Sequence, residues 1–194
     1  MPVRVVIAED EAIIRLDLKE ILEDEGYEIV GETGRGDEAV DLVRKHHPDL
    51  AILDIKMPGM DGLTAAKEIT GERLAAVLIL TAFSQRDLID QAKEAGALAY
   101  LVKPFQRSEL IPQMEIALGR FKEMKVLAQQ VESLEDQLEI RKLVERAKGM
   151  LMDELSLKEA AAFDWIQKTA MRERLTMKEI ARRVIEDGLR PESP

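Results

Sequence analysis

"LAILDIKMPGMDG", residues 50–62, decides the fold. Its first part is a run of apolar residues closed by Asp54, and with Asp49 it reads as a strand over 49–54. A strand exposed on one face alternates polar and apolar residues; one covered on both faces is nearly continuously apolar, as here. Working outward, "VRVVIA" (3–8), "YEIVGE" (27–32), "AAVLIL" (75–80) and "LAYLV" (98–102) read as further strands. Helical patterns fall between them at 11–25, 36–47, 61–70 and 85–95, and Gly26 and Gly96 stand where helices should stop. Strands alternating with helices predict an α/β fold: a five-stranded, parallel, doubly wound sheet of the flavodoxin-like kind.

Beyond residue 105 the strand signal ends. "SEL" at 108–110 predicts a helix start capped by Ser108, with Pro112 in its first turn. Met124, Leu127, Val131, Leu134 and Leu138 then recur at alternating steps of three and four, a coiled-coil seam of about two heptads. The alternative is a single helix packing that stripe on its own chain. Two capping boxes, Ser156 with Glu159 and Thr176 with Glu179, predict two more helices. The tail is therefore a small three-helix unit hung from a long helix, with "RPESP" (190–194) expected to fray. The expected division is 1–118, 119–140 as a helical linker, and 141–190.

Composition bounds the chemistry. With 194 residues and no cysteine, the chain is long enough for a real core and lacks disulfides, thiolate metal sites and cysteine nucleophiles. No signal peptide or membrane span is read, so the expected location is the cytoplasm. Net charge is −10, but it is uneven. Residues 1–120 carry 14 Lys/Arg against 23 Asp/Glu, whereas 141–190 carry 12 against 9. A basic tail on an acidic protein suggests two parts with different partners.

In an open parallel sheet, ligands gather beyond the carboxyl ends of the strands. Glu9 and Asp10 follow the first strand, Asp54 ends the third, Thr81 follows the fourth, and Lys103 follows the fifth. Three carboxylates held close repel unless a divalent cation joins them, and hard oxygen ligands suit Mg²⁺. One carboxylate could then attack a phosphoryl group, with Lys103 and Thr81 serving the transferring oxygens. Taken singly, Asp54 and Asp61 read equally as loop residues. His46 and His47, which end a helix, read as solvated residues and not as ligands or phosphodonors.

These motifs, "VVIAEDEA", "LAILDIKMPGMDG", "LILTAF" and "AYLVKPF", resemble the receiver domain of two-component response regulators across residues 1 to about 118. The resemblance implies that Asp54 is phosphorylated by a sensor histidine kinase, and that the protein is itself no enzyme. It implies that Asp10, Asp54 and the backbone carbonyl of Lys56 hold Mg²⁺, with Glu9 supporting the metal through water. Thr81 and Tyr100 match switch positions that move inward on phosphorylation. The first acidic position is Glu9 where Asp is commoner in the family. Phe83, two residues past Thr81, is read as a shield of the phosphoryl group from water.

The tail, "RKLVERAKGMLMDELSLKEAAAFDWIQKTAMRERLTMKEIARRVIE" (141–186), closely resembles the ANTAR domain, an RNA-binding transcription antitermination module. The resemblance implies recognition of paired stem-loops in nascent mRNA, where unpaired loop bases are read and basic residues hold the backbone. The candidate RNA-binding residues are Arg141, Lys142, Arg146, Lys148, Gly149, Arg172, Arg174, Lys178, Arg182 and Arg183. A homodimer formed on phosphorylation would bring two tails to two stem-loops. A DNA-binding regulator and a protein-interaction module are the competing readings. Phe163, Ile166 and Ala170 read as a core stripe with Trp165 at its edge, against a base-stacking role for the aromatics. Met150, Met152 and Met171 read as packing residues. Gly149, within a good helix, has two readings: close packing of a neighbouring helix, or a saddle for an RNA loop.

Overall fold

The computed structural model describes residues 2–82 and 86–191, apart from the side chains of residues 86–88 and 132. The chain divides into two compact units, Met1–Lys125 and Val126–Pro194.

In the first unit five strands, β1 (Arg4–Ala8), β2 (Glu28–Thr33), β3 (Leu50–Asp54), β4 (Ala76–Thr81) and β5 (Ala99–Val102), form one sheet in the order β2-β1-β3-β4-β5. Every pairing is parallel. Helices α1 (Ala12–Asp24), α2 (Gly36–His46), α3 (Gly62–Gly71) and α4 (Arg86–Glu94) connect them. The bounds fall within one residue of those read from periodicity, and Gly26 and Gly96 take left-handed φ of +84° and +80° after α1 and α4. β3 is buried at all five positions, as its unbroken apolar run requires. The core has two layers. Val6, Ala51, Leu53, Val77 and Ile79 pack against α2, α3 and α4; Val5, Ile7, Ile52, Leu78 and Leu80 pack against α1 and the first turns of α5. His46 ends α2, and His47 closes it in a left-handed conformation.

Helix α5 runs without a break over Arg107–Leu155. Its start differs from expectation. The helix begins at Arg107, so Ser108 lies inside it, and the Gln106 N–H donates to Glu109 Oε2 at 2.9 Å. Pro112 therefore sits in the second turn and not the first, at the cost of one ladder hydrogen bond.

The second unit packs the end of α5 against α6 (Glu159–Glu173) and α7 (Met177–Glu186). Its core is Val144, Ala147, Leu151, Ala162, Ile166, Ala170, Ile180, Ala181 and Val184. The Thr176–Glu179 capping box forms as expected. The Ser156–Glu159 box does not: Ser156 takes a left-handed φ of 54° just past α5, and Glu159 is already the first residue of α6. Phe163 is not core. Ala162 takes that place one residue earlier, leaving Phe163 41% exposed, while Trp165 packs at the core's edge. Met171 is 70% exposed and not a packing residue. Arg190, expected to fray, is tied down by Glu154 at 2.6 and 2.8 Å and by the carbonyl of Val184 at 2.8 Å. Among the described residues no helix is long and apolar enough to cross a membrane.

Candidate functional site

The parallel sheet delivers three carboxylates, a hydroxyl and an ammonium to its carboxyl edge. Glu9 and Asp10 leave β1, Asp54 and Thr81 end β3 and β4, and Lys103 follows β5. The Lys103 ammonium lies 2.6 Å from Glu9 Oε2 and 3.0 Å from Asp54 Oδ1, bridging the two carboxylates. Asp54 Oδ2 accepts from the backbone N–H of Lys56 at 3.1 Å, and Glu9 Oε1 accepts from the N–H of Glu11 at 3.2 Å. Glu9, Asp54, Thr81 and the Lys103 ammonium are all buried or nearly so, while Asp10 is exposed at the rim. A backbone bond from Lys103 N–H to the Thr81 carbonyl at 2.8 Å fixes the lysine beside β4.

Electrostatics follow from burial. Loss of water raises the Glu9 carboxyl above its ordinary range; the Lys103 hydrogen bond pulls it back, and the charge of Asp54 pushes it up again. Burial would lower the Lys103 ammonium, but its hydrogen bonds to Glu9 and Asp54 outweigh that and hold it above its usual value.

Asp61, expected as a loop acid, caps α3 by accepting the Thr64 N–H at 2.8 Å. Gly62 has a specific reason to be glycine: a Cβ there would overlap the Asp54 carbonyl. The "MDG" triplet thus lets α3 start directly against the backbone of the buried aspartate. Tyr100 is 40% exposed on β5, and Phe83 lies outside the described residues.

The second unit sorts its basic residues into two groups. Lys148 is buried, with its ammonium 2.8 Å from Glu145 and 2.7 Å from Glu159. Lys178 and Arg182 pair with Glu139 at 2.7 and 3.3 Å. Arg183 and Arg172 meet Glu173 at 2.9 and 3.7 Å. Arg141, Lys142, Arg146 and Arg174 are exposed, and their side chains make no ion pair or hydrogen bond among the described residues. Gly149 has nothing within 4 Å of where a Cβ would stand, so no neighbouring helix packs against it. The packing reading fails there. The roles of Glu145 and Glu159 in pinning Lys148 were not read from sequence; the i,i+3 spacing of Glu145 and Lys148 was the available signal.

Comparison with known proteins matches two family descriptions, the response regulator receiver domain over residues 5–115 and the ANTAR domain over 132–185. The chain is 56% identical over 186 residues to the transcriptional regulatory protein PdtaR of Mycobacterium tuberculosis, covering 96% of this chain and 91% of that one. The chain belongs to the ANTAR response regulators. Among solved structures, the signal receiver domain of the Mycobacterium tuberculosis response regulator NarL matches with TM-score 0.59 and 32% identity, over 61% of this chain and 97% of that one. CheY of Borrelia burgdorferi, solved with CheX, BeF3 and Mg²⁺, matches with TM-score 0.56 and 29% identity, over 59% and 87%.

For a response regulator the acidic pocket must fit a divalent cation. Carboxylate oxygens of Glu9, Asp10 and Asp54 lie within 4.8 Å of one another. Glu9 Oε2 is buried, and the Lys103 ammonium at 2.6 Å is what stands against it. Three crowded carboxylates, with one ammonium between two of them, are a set of hard oxygen donors that suits Mg²⁺.

Proposed function

We propose that this response regulator accepts a phosphoryl group from a sensor histidine kinase on Asp54 and, so switched, binds stem-loop RNA in nascent cytoplasmic transcripts to promote antitermination. The bridge from Lys103 to Glu9 and Asp54 carries the first half of the reading. An Asp54 carboxylate oxygen attacks phosphorus as the bond to the donor nitrogen breaks. Lys103 stays beside the acceptor and offsets charge on the transferring oxygens, and the Thr81 hydroxyl donates to one of them. Glu9, Asp10, Asp54 and the Lys56 carbonyl would hold Mg²⁺, which supplies further compensation of that charge. Thr81 and Tyr100 then report occupancy of the pocket, Tyr100 from its exposed position on β5.

The division proposed is a receiver over 1–118, a helical linker over 119–140 and the RNA-binding unit over 141–190. Exposed, unpaired Arg141, Lys142, Arg146 and Arg174 support phosphate contacts, as does bare backbone at Gly149, where a polyanion can approach closely. Lys148, Arg172, Lys178, Arg182 and Arg183 can join them only by exchanging a carboxylate for a phosphate. Two copies joined along the α5 seam present two such surfaces, and bivalency raises avidity without new contacts.

The test is sequencing of RNA crosslinked to the protein after treatment with a small phosphodonor, beside Asp54→Asn. The wild type should take up one phosphoryl group and enrich paired stem-loops, and Asp54→Asn should do neither. Preference for duplex DNA at matched salt, or capture of protein without RNA, would overturn the output assignment.

A further inference from the structure

The second unit holds two aromatic side chains, Phe163 and Trp165, and the fold treats them oppositely. Trp165 packs at the edge of the core, whereas Phe163 is 41% exposed. The buried face of α6 is complete without it, since Ala162, Ile166, Thr169 and Ala170 fill that face. Phe163 is not alone on the outer side. Gln167 and Met171 follow at steps of four and share its face, and Arg174 closes the helix on nearly the same bearing. Met171 is 70% exposed. Among the described residues neither the Gln167 amide nor the Arg174 guanidinium makes a hydrogen bond or ion pair.

We propose that this face of α6 receives an unpaired base of an RNA loop, stacked on the Phe163 ring, which rests on the RNA-binding function proposed above and assigns its base contact. Aromatic rings are the usual platforms for splayed-out loop bases, because every base offers a π face. Gln167 stands about 6 Å further along the helix axis, where its amide can both donate to and accept from the base edge. Met171 adds an apolar contact one turn beyond. Arg174 lies about 16 Å from Phe163 along the axis, leaving room for a short unpaired strand between the stacked base and a phosphate on the guanidinium.

Size and charge favour this occupant over a protein. Phe163 and Met171 fall far short of the roughly 800 Å² that each partner of a stable protein interface buries, but one ring matches one base. The nearby carboxylates are neutralised within the unit. Asp164 pairs with Lys168 at 2.8 Å and Glu159 with Lys148 at 2.7 Å, so no free acid among them repels a polyanion.

The test titrates the full-length, phosphodonor-treated protein with a pool of RNA hairpins sharing one stem and carrying a randomised loop. The same stem without a loop serves as the duplex control. Phe163→Ala and Phe163→Leu should weaken binding to the pool about tenfold or more and leave the duplex unchanged, while Phe163→Tyr should bind as wild type does. Leucine keeps apolar bulk without a π face, so it separates stacking from packing. Fluorescence of Trp165, the chain's single tryptophan, checks that each variant is folded. With 5-iodouridine in the loops, light should crosslink RNA to the tryptic peptide 159–168, and Phe163→Leu should abolish that crosslink. Equal binding of the pool by wild type, Phe163→Ala and Phe163→Leu would overturn the base contact and leave RNA binding standing. Failure of the wild type to bind either RNA would overturn RNA binding itself, and the base contact with it. Loss of self-association in Phe163→Ala with RNA binding unchanged would give the face to a second copy of the chain and overturn the base contact.

Discussion

Lys148 and Gly149 are neighbours in sequence with opposite surroundings. Lys148 is held between Glu145 and Glu159, joining the end of α5 to the start of α6, whereas Gly149 opens onto empty space. Nothing among the described residues then requires glycine in that helix interior, where it costs about 1 kcal/mol relative to alanine. Gly149→Ala should stabilise the second unit by up to that amount in urea unfolding followed by Trp165 fluorescence, and should weaken RNA binding if bare backbone meets the RNA. A destabilised variant would show that the glycine serves the fold. The pinning of Lys148 could not be read from sequence, because Glu159 lies eleven residues away across a turn whose geometry depends on Ser156 adopting a left-handed conformation.

At the scale of elements, the strands and helices of the first unit were legible because periodicity and turn residues agree there. The second unit was harder. "AAAFDWI" offers apolar residues at nearly every step, so a one-residue change of phase decides whether Ala162 or Phe163 faces the core. The two S/T-x-x-E patterns look alike in sequence, yet only Thr176–Glu179 closes into a box, since Glu159 is drawn to Lys148 instead. Thr176→Ala should therefore cost about 1 kcal/mol, the usual worth of an N-cap, in the same Trp165 assay. Ser156→Ala should lose no cap; its cost should reflect only the left-handed backbone, which Ser156→Gly should relieve.

Across the whole molecule the charges divide by unit. In the second unit Glu139, Glu154 and Glu159 are held below the ordinary carboxylate range chiefly by hydrogen bonds from Lys178, Arg190 and Lys148 respectively, and Glu179 by the backbone N–H of Thr176. A depressed folded pKa contributes stability that is fully present above the unfolded value, about 4.3, and is lost as pH falls through the folded value. The Trp165-reported urea midpoint should be flat from neutral pH down to about 5 and fall below about 4. Glu159→Gln should flatten that fall; an unchanged pH profile would remove Glu159 from the account.

The pocket of the first unit was legible because strand ends converge in any parallel sheet. The bridge by Lys103 between Glu9 and Asp54 needed the side chains in place. On α5 the exposed seam of Leu127, Val131, Leu134 and Leu138 and the buried stripe of Ile140, Val144, Ala147 and Leu151 lie one residue out of phase, which makes the length of this helix a matter of counting. Seven residues added between Leu127 and Leu138 would return each stripe to nearly its own bearing, about 20° short of true. One residue added there would swing the upstream half of the seam by about 100° against the helical core. Exchange of receivers or output units among chains of this build is thus confined to joints that keep whole heptads, whatever the rest of the sequence does.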